Sequence, residues 1–131
     1  GTFTGLGKYF KNIEKKETKL VFGDPYGSII TNIIKKTNIK DSYNSIIEGA
    51  GKKRITSIMN LDYIDYIYKI SDEKAIEMCK FMANHGYLLG GSSGLNIYTA
   101  LELINESKIE NKNIVIICPD AGYRYISKIY N

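Results

Sequence analysis

The chain has 131 residues, 44% apolar and 24% charged, with 18 basic and 14 acidic side chains and a net charge of +4. This length and composition support one buried core and exclude a disordered or collagen-like chain. The longest strongly apolar run, Ile114 to Cys118, is too short to span a bilayer, and the one tight basic cluster, Lys52-Lys53-Arg54, is too small for a nucleic-acid footprint.

Thr4 to Ile13 reads as a short helix with Leu6, Tyr9, Phe10 and Ile13 on one face. Lys19 to Gly23 fits a buried strand. Asp24-Pro25-Tyr26-Gly27-Ser28 is a turn, because proline fixes φ and glycine follows. Ser28 to Lys36 carries an isoleucine stripe and reads as a helix or as more of the loop. Thr37 to Thr56 has poor periodicity and holds Gly49, Gly51 and the basic cluster, which predicts a long functional loop. Asp65 to Ile70 reads as a strand. The helix after it has Ser71 as its N-cap, with Asp72 and Glu73 at the positive end of the dipole. Ala75, Ile76, Cys79, Phe81, Met82 and Ala83 form its apolar face, His85 lies in its last turn, and Gly86 closes it.

Tyr87-Leu88-Leu89 is expected to be a short buried segment, and Gly90 to Gly94 (GGSSG) a tight loop. Leu95 to Glu106 is the next helix. Asn113 to Cys118 is expected to be a continuous buried strand, ended by Pro119-Asp120-Ala121-Gly122, and Tyr123 to Tyr130 a terminal helix. Helices alternating with short apolar strands imply an α/β fold, a mostly parallel sheet with helices on both faces. The chain opens on Gly1-Thr2 and runs straight into a helical pattern, which predicts a piece of a longer domain. No basic-then-apolar leader is visible, so the expected compartment is the cytoplasm.

Ligands of open α/β sheets bind beyond the carboxyl ends of the strands. Four loops are candidates: Gly1-Thr2, Glu48-Gly49-Ala50-Gly51, Gly90 to Gly94, and Pro119 to Gly122. GGSSG before a helix has two readings. Its glycines let a ligand reach the backbone while helix amides and serine hydroxyls donate to it, or it is a turn capped by Ser92 or Ser93. It is neither GxGxxG nor a Walker motif. EGAG and the basic cluster each read as a ligand loop or as a solvated turn. Asp120 is an active-site residue or a helix cap. His85 reads as a base or, at a helix C-terminus, as a partner of the helix dipole, and the position favours the second. Cys79 and Cys118 lie far apart in apolar contexts and are expected to be small core residues, with no metal site. No triad, carboxylate pair or metal cluster stands out, so an enzyme built on this chain relies on a cofactor.

Taken in order, GTFTGLGKYFK at 1–11, DPYGSI at 24–29, EGAG at 48–51, ISDEKAI at 70–76, GYLLGGSSG at 86–94 and PDAGYRYISKIYN at 119–131 resemble the cystathionine β-synthase and cysteine synthase family. These are fold type II pyridoxal-phosphate enzymes. The resemblance implies that residues 1–131 are the C-terminal part of a catalytic domain, with the Schiff-base lysine upstream and no catalytic residue in this stretch. It implies cofactor contacts at Gly1 and Thr2 (the end of the phosphate loop), at Ser92 (the ring nitrogen), and at Pro119 and Asp120 beside the ring. Gly49 and Gly51 would line the substrate side. A hydroxyl partner, unlike a carboxylate, does not hold the ring nitrogen protonated, which suits β-elimination.

After EGAG the family usually carries an aromatic and then a proline, where this chain has Lys53-Arg54-Ile55-Thr56. Such a basic loop suits a second substrate with an extra carboxylate, met by Arg54. DPYGSI and YISKIYN are more similar to cystathionine β-synthase, so the expected reaction joins serine and homocysteine into cystathionine. Cysteine synthesis from O-acetylserine and sulfide is the alternative. A homodimer acting on small amino acids is implied, without nucleic acid or membrane. Two rivals stand beside this: a nucleotide-binding α/β module using GGSSG, and a non-catalytic remnant of the fold. The nucleotide reading lacks an acidic residue ending a strand soon after the loop.

Overall fold

The computed structural model describes residues 1–38, 43–107 and 109–131. Strands β1 (Val21–Pro25) and β2 (Tyr66–Ile70) pair in parallel, with Val21 opposite Tyr66 and Pro25 opposite Ile70. Parallel neighbours need a crossover. Here it contains helix α2 (Ile30–Lys35) and, over residues 43–56, backbone with no helix or strand, as the poor periodicity predicts. Residues 39–42 of the predicted loop lie outside the described residues. Asp65 sets the register. Its carboxylate accepts the Leu20 N–H at 2.7 Å and its own N–H donates to the Leu20 carbonyl at 2.9 Å.

Helix α3 (Asp72–Asn84) starts where expected. Ser71 is its N-cap, with the hydroxyl accepting the Lys74 N–H at 3.4 Å. His85 caps its end, and Gly86 turns away at φ +90°. Helix α4 (Gly91–Ser107) packs along α3. The two approach closely because Gly94 has no side chain: a Cβ there would strike the Ala75 carbonyl and the Cys79 sulfur. Ile70, Ala75 and Leu95 form the core, and Ile47 joins them from the irregular crossover. Each large apolar side chain buried this way contributes about 1.5–3 kcal/mol, so Ile47 fixes a loop that has no ladder of its own. The α/β class is borne out by the parallel strands and the helices packed on them.

Five expectations are corrected. The GGSSG segment is not a loop before a helix at Leu95: α4 begins at Gly91, with the Ser93 and Gly94 N–H groups donating to the Gly90 carbonyl. The first helix is α1 (Thr2–Gly7), followed by a wider π-helical stretch over Lys8–Ile13, and its expected apolar face leaves Tyr9 and Ile13 exposed. Asn113 to Cys118 joins no ladder, and Val115 is 86% exposed. Tyr87 and Leu88 are exposed, because only Leu89 and Gly90 turn inward. Cys118 is exposed with the rest of that stretch, whereas Cys79 is buried as expected. A 3-10 turn (Gly122–Tyr125) and helix α5 (Ile126–Ile129) complete the fold. No helix among the described residues is long and apolar enough to cross a membrane.

Candidate active site

The start of α4 is held by a short antiparallel bridge between Leu89 and Ala121. The Gly90 N–H donates to the Asp120 carbonyl at 3.0 Å, and the Gly122 N–H donates to the Leu88 carbonyl at 2.9 Å. This bridge sets the Pro119–Gly122 turn against the first turn of α4, so two of the four predicted loops meet. Ser92 is half-buried on that turn, at the positive end of the helix dipole. Ser93, the next residue, is fully buried. Asp120 lies so close to Gly90 that any side chain at residue 90 would collide with its carboxylate. One Asp120 oxygen accepts the Tyr125 hydroxyl at 2.7 Å. That bond, followed by burial, pushes the Tyr125 phenol pKa up.

The EGAG loop adjoins this corner. Gly91 faces Ile47 and Ile129, which a Cβ at residue 91 would meet at 3.1 and 3.2 Å. Glu48 pairs with Lys128 of α5 at 2.6 Å, and the Lys128 ammonium holds its carboxyl below the usual carboxylate range. Gly49 and Gly51 turn at φ +79° and +69°. Residues 51 and 52 are stitched to the turn after β1. The Lys52 N–H donates to Ser28 Oγ at 3.0 Å, and the Ile29 N–H donates to the Lys52 carbonyl at 2.8 Å. Between them opens a pocket of about 130 Å³, lined in part by Tyr26, Ser28, Tyr43, Gly51, Lys52 and Lys53.

The wall of this pocket is held by a residue whose role the sequence did not reveal. Asp72 is buried at the start of α3, and its carboxylate accepts the Tyr43 hydroxyl at 3.0 Å, the Ser45 hydroxyl at 2.6 Å and the Ile46 N–H at 2.7 Å. Read along the chain, it is only an acid favoured by the helix dipole. The available signal was its place just past the carboxyl end of β2, where open α/β sheets put their sites.

Ser92 on the first turn of α4 thus adjoins the Pro119–Asp120 turn and the loop that carries Gly49 and Gly51. Gly1 and Thr2 open α1, which meets the sheet through Phe3 edge-on to Phe22 at 4.9 Å, and the Gly1 carbonyl accepts the Gly5 N–H at 2.9 Å. Arg54 is exposed, as are Lys52 and Lys53. His85 stays at the end of α3, with Nδ1 at 2.8 Å from the Phe81 carbonyl. The Cys79 Sγ–H donates to the Gly90 carbonyl at 3.4 Å, and burial pushes that thiol pKa up.

These residues fit the ring end of pyridoxal phosphate. Ser93 Oγ and Asp120 Oδ1 are buried without a hydrogen-bond partner among the described residues; Ser93 follows Ser92 in the chain, and the Asp120 carboxylate lies against Gly90. A buried polar atom costs free energy until it is bonded, so polar valence remains to be filled there. No group of acidic, cysteine or histidine side chains suited to a metal ion occurs among the described residues.

Residues 1–120 match the model of the family described as pyridoxal-phosphate dependent enzyme. The chain is 40% identical over 130 residues to a cysteine synthase of Buchnera aphidicola subsp. Schizaphis graminum, covering 97% of this chain and 40% of that protein. Among solved structures it resembles an O-acetylserine dependent cystathionine beta-synthase of Helicobacter pylori (TM-score 0.81, 30% identity, 99% of this chain and 40% of that one). It equally resembles O-acetyl serine sulfhydrylase isoform 3 of Entamoeba histolytica (TM-score 0.82, 31% identity, 97% and 36%). The chain spans about two fifths of the length of the curated relatives it matches. It belongs to the family of pyridoxal-phosphate-dependent enzymes.

Proposed function

We propose that residues 1–131 form the C-terminal part of a catalytic domain that performs β-replacement on an activated serine, in the manner of a cysteine synthase. O-acetylserine loses acetate, and sulfide takes its place to give cysteine. The observation that carries this reading is the half-buried Ser92 on the first turn of α4, set beside the Pro119–Asp120 turn. The names of the curated relatives, cysteine synthase among them repeatedly, favour this alternative over the expected serine–homocysteine condensation.

When bound, pyridoxal phosphate supplies the electron sink that lets the β-substituent leave. In this reading the Ser92 hydroxyl would hold the ring nitrogen and, being a poor acid-base partner, would not keep it protonated. Pro119 and Asp120 would lie beside the ring. Gly1 and Thr2 give amides to the phosphate. Gly49 and Gly51 keep the substrate face free of side chains. The working protein is taken to be a cytoplasmic homodimer acting on small amino acids.

A second reading is supported by Lys52 and Lys53 on the pocket rim, with Arg54 next to them. Three cations favour a second substrate with its own carboxylate, such as homocysteine, so the product becomes cystathionine while O-acetylserine remains the first substrate. The test is the visible spectrum of the cofactor-loaded protein. O-acetylserine is expected to shift the band, L-serine is not, and sulfide is expected to restore it with release of cysteine. Restoration by homocysteine but not by sulfide selects the second reading. A band that neither amino acid moves would overturn β-replacement.

A further inference from the structure

The penultimate residue of the chain makes a contact that the proposed chemistry does not use. The Tyr130 hydroxyl reaches back 41 positions to one peptide unit, accepting the Leu89 N–H at 3.1 Å and donating to the Leu89 carbonyl. Both backbone groups of a single residue are therefore satisfied by one side chain. Leu89 lies three positions before Ser92, and Gly90 between them carries the hydrogen bonds that open α4. The same tyrosine ring lies against Gly122, where a Cβ would sit 2.8 Å from its edge. Tyr130 thus touches both strands of the Leu89–Ala121 bridge, one leading to Ser92 and the other following Asp120.

We propose that Tyr130 is a positioning residue: its hydroxyl fixes the Leu89 peptide and so sets the placement of Ser92 against the ring nitrogen of pyridoxal phosphate. The inference rests on the assignment of Ser92 made above. Several features support it. Leu88 is exposed on one side of the segment, and no regular ladder extends beyond the single bridge. The Tyr130 clasp is therefore a large share of what holds residue 89. Burial, and then the neighbouring Cys79 thiol, push the Tyr130 phenol pKa up, which keeps it a neutral O–H able to donate and accept together. A hydroxyl that does both is not replaced by an apolar ring of the same shape, since two part-buried backbone groups would lose their bonds.

The test uses the complete cofactor-binding protein and compares wild type with Tyr130→Phe, Ser92→Ala and the double variant. Three readouts are taken: pyridoxal-phosphate affinity, the visible band with its pH dependence, and hydrogen exchange of the amides of residues 89–91. Tyr130→Phe is expected to weaken cofactor binding roughly tenfold, to move the band in the same direction as Ser92→Ala, and to speed exchange at residues 89–91. The double variant is expected to be no worse than Ser92→Ala, because Tyr130 acts through Ser92. Tyr130→Gln, whose amide also donates and accepts, is expected to recover part of the loss.

If Ser92→Ala perturbs the cofactor and Tyr130→Phe only speeds exchange, Tyr130 is structural and the proposal falls. If Ser92→Ala leaves band and affinity unchanged, the assignment of Ser92 fails instead. If neither tyrosine variant folds, the hydroxyl serves the fold as a whole, and the proposal falls in that case too.

Discussion

β2 and the stretch from Asn113 to Cys118 are both short and rich in isoleucine, yet the first is laddered and the second is bare. β2 runs beside β1 in parallel register, with α2 and α4 packed against it. Its start is stapled by Asp65, whose carboxylate takes the Leu20 N–H and the Lys11 ammonium, both within 2.7 Å. At the other stretch, the Asn96 side-chain amide donates to the Ile117 carbonyl at 2.8 Å, and Ile114 through Ile117 remain open to solvent. An apolar run states what a segment is able to become. Whether it becomes a strand depends on a neighbour offering N–H and C=O groups in register.

Three experiments break or sharpen this contrast. Leu95 is almost fully buried in the core around Ile70 and Ala75, and Leu95→Ala is expected to cost about 3 kcal/mol of unfolding free energy. Val115→Ala in the same 131-residue chain is expected to stay within about 0.5 kcal/mol. Urea titration of both variants checks the pair, and equal losses would mean that residues 113–118 are packed in solution. Next in size is Asp72→Ala. It leaves the Tyr43 and Ser45 hydroxyls and the Ile46 amide without their shared acceptor and is expected to cost about 2 kcal/mol, with faster proteolysis between residues 43 and 56.

The smallest effect is electrostatic. Burial alone would raise the Asp65 carboxyl pKa, but the bonds from Lys11 and the Leu20 N–H, with Lys19 nearby, hold it below the usual value. A carboxyl depressed in the folded state stabilises the fold above its unfolded pKa, near 4, and that contribution is lost as pH falls through the folded value. Acid titration of stability should therefore steepen below about pH 4. The Asp65→Asn variant should lose this part of the slope, and an unchanged slope would remove Asp65 from the account of β2.

Local signals were read well where the chain satisfies them by itself. Ser71 caps α3, Gly86 ends it, and both strands of the parallel pair lie within two residues of their predicted limits. Motif order assigns Ser92, Pro119 and Asp120 to one site, and the Leu89–Ala121 bridge joins the segments that carry them. What stayed hidden depends on contacts distant in sequence. Asp72 acts on residues 26 to 29 positions away, and Tyr130 on one 41 away. No periodicity records such pairings. The fate of residues 113–118 was illegible for the same reason, since a ladder is a property of two segments.

The helical start of α4 at Gly91 sorts the two adjacent serines. Successive residues on a helix are turned by about 100°, so Ser92 and Ser93 cannot share a direction: Ser93 goes fully into the core and Ser92 stays half-buried. In a loop the pair would be interchangeable, and either hydroxyl could serve. On a helix, chemical identity no longer decides the role, and angular phase does. Deleting the single residue Gly91, with the bridge at Leu89 held in place, would bring Ser93 into the angular phase that Ser92 now holds, leaving composition almost untouched while reassigning which hydroxyl a ligand meets.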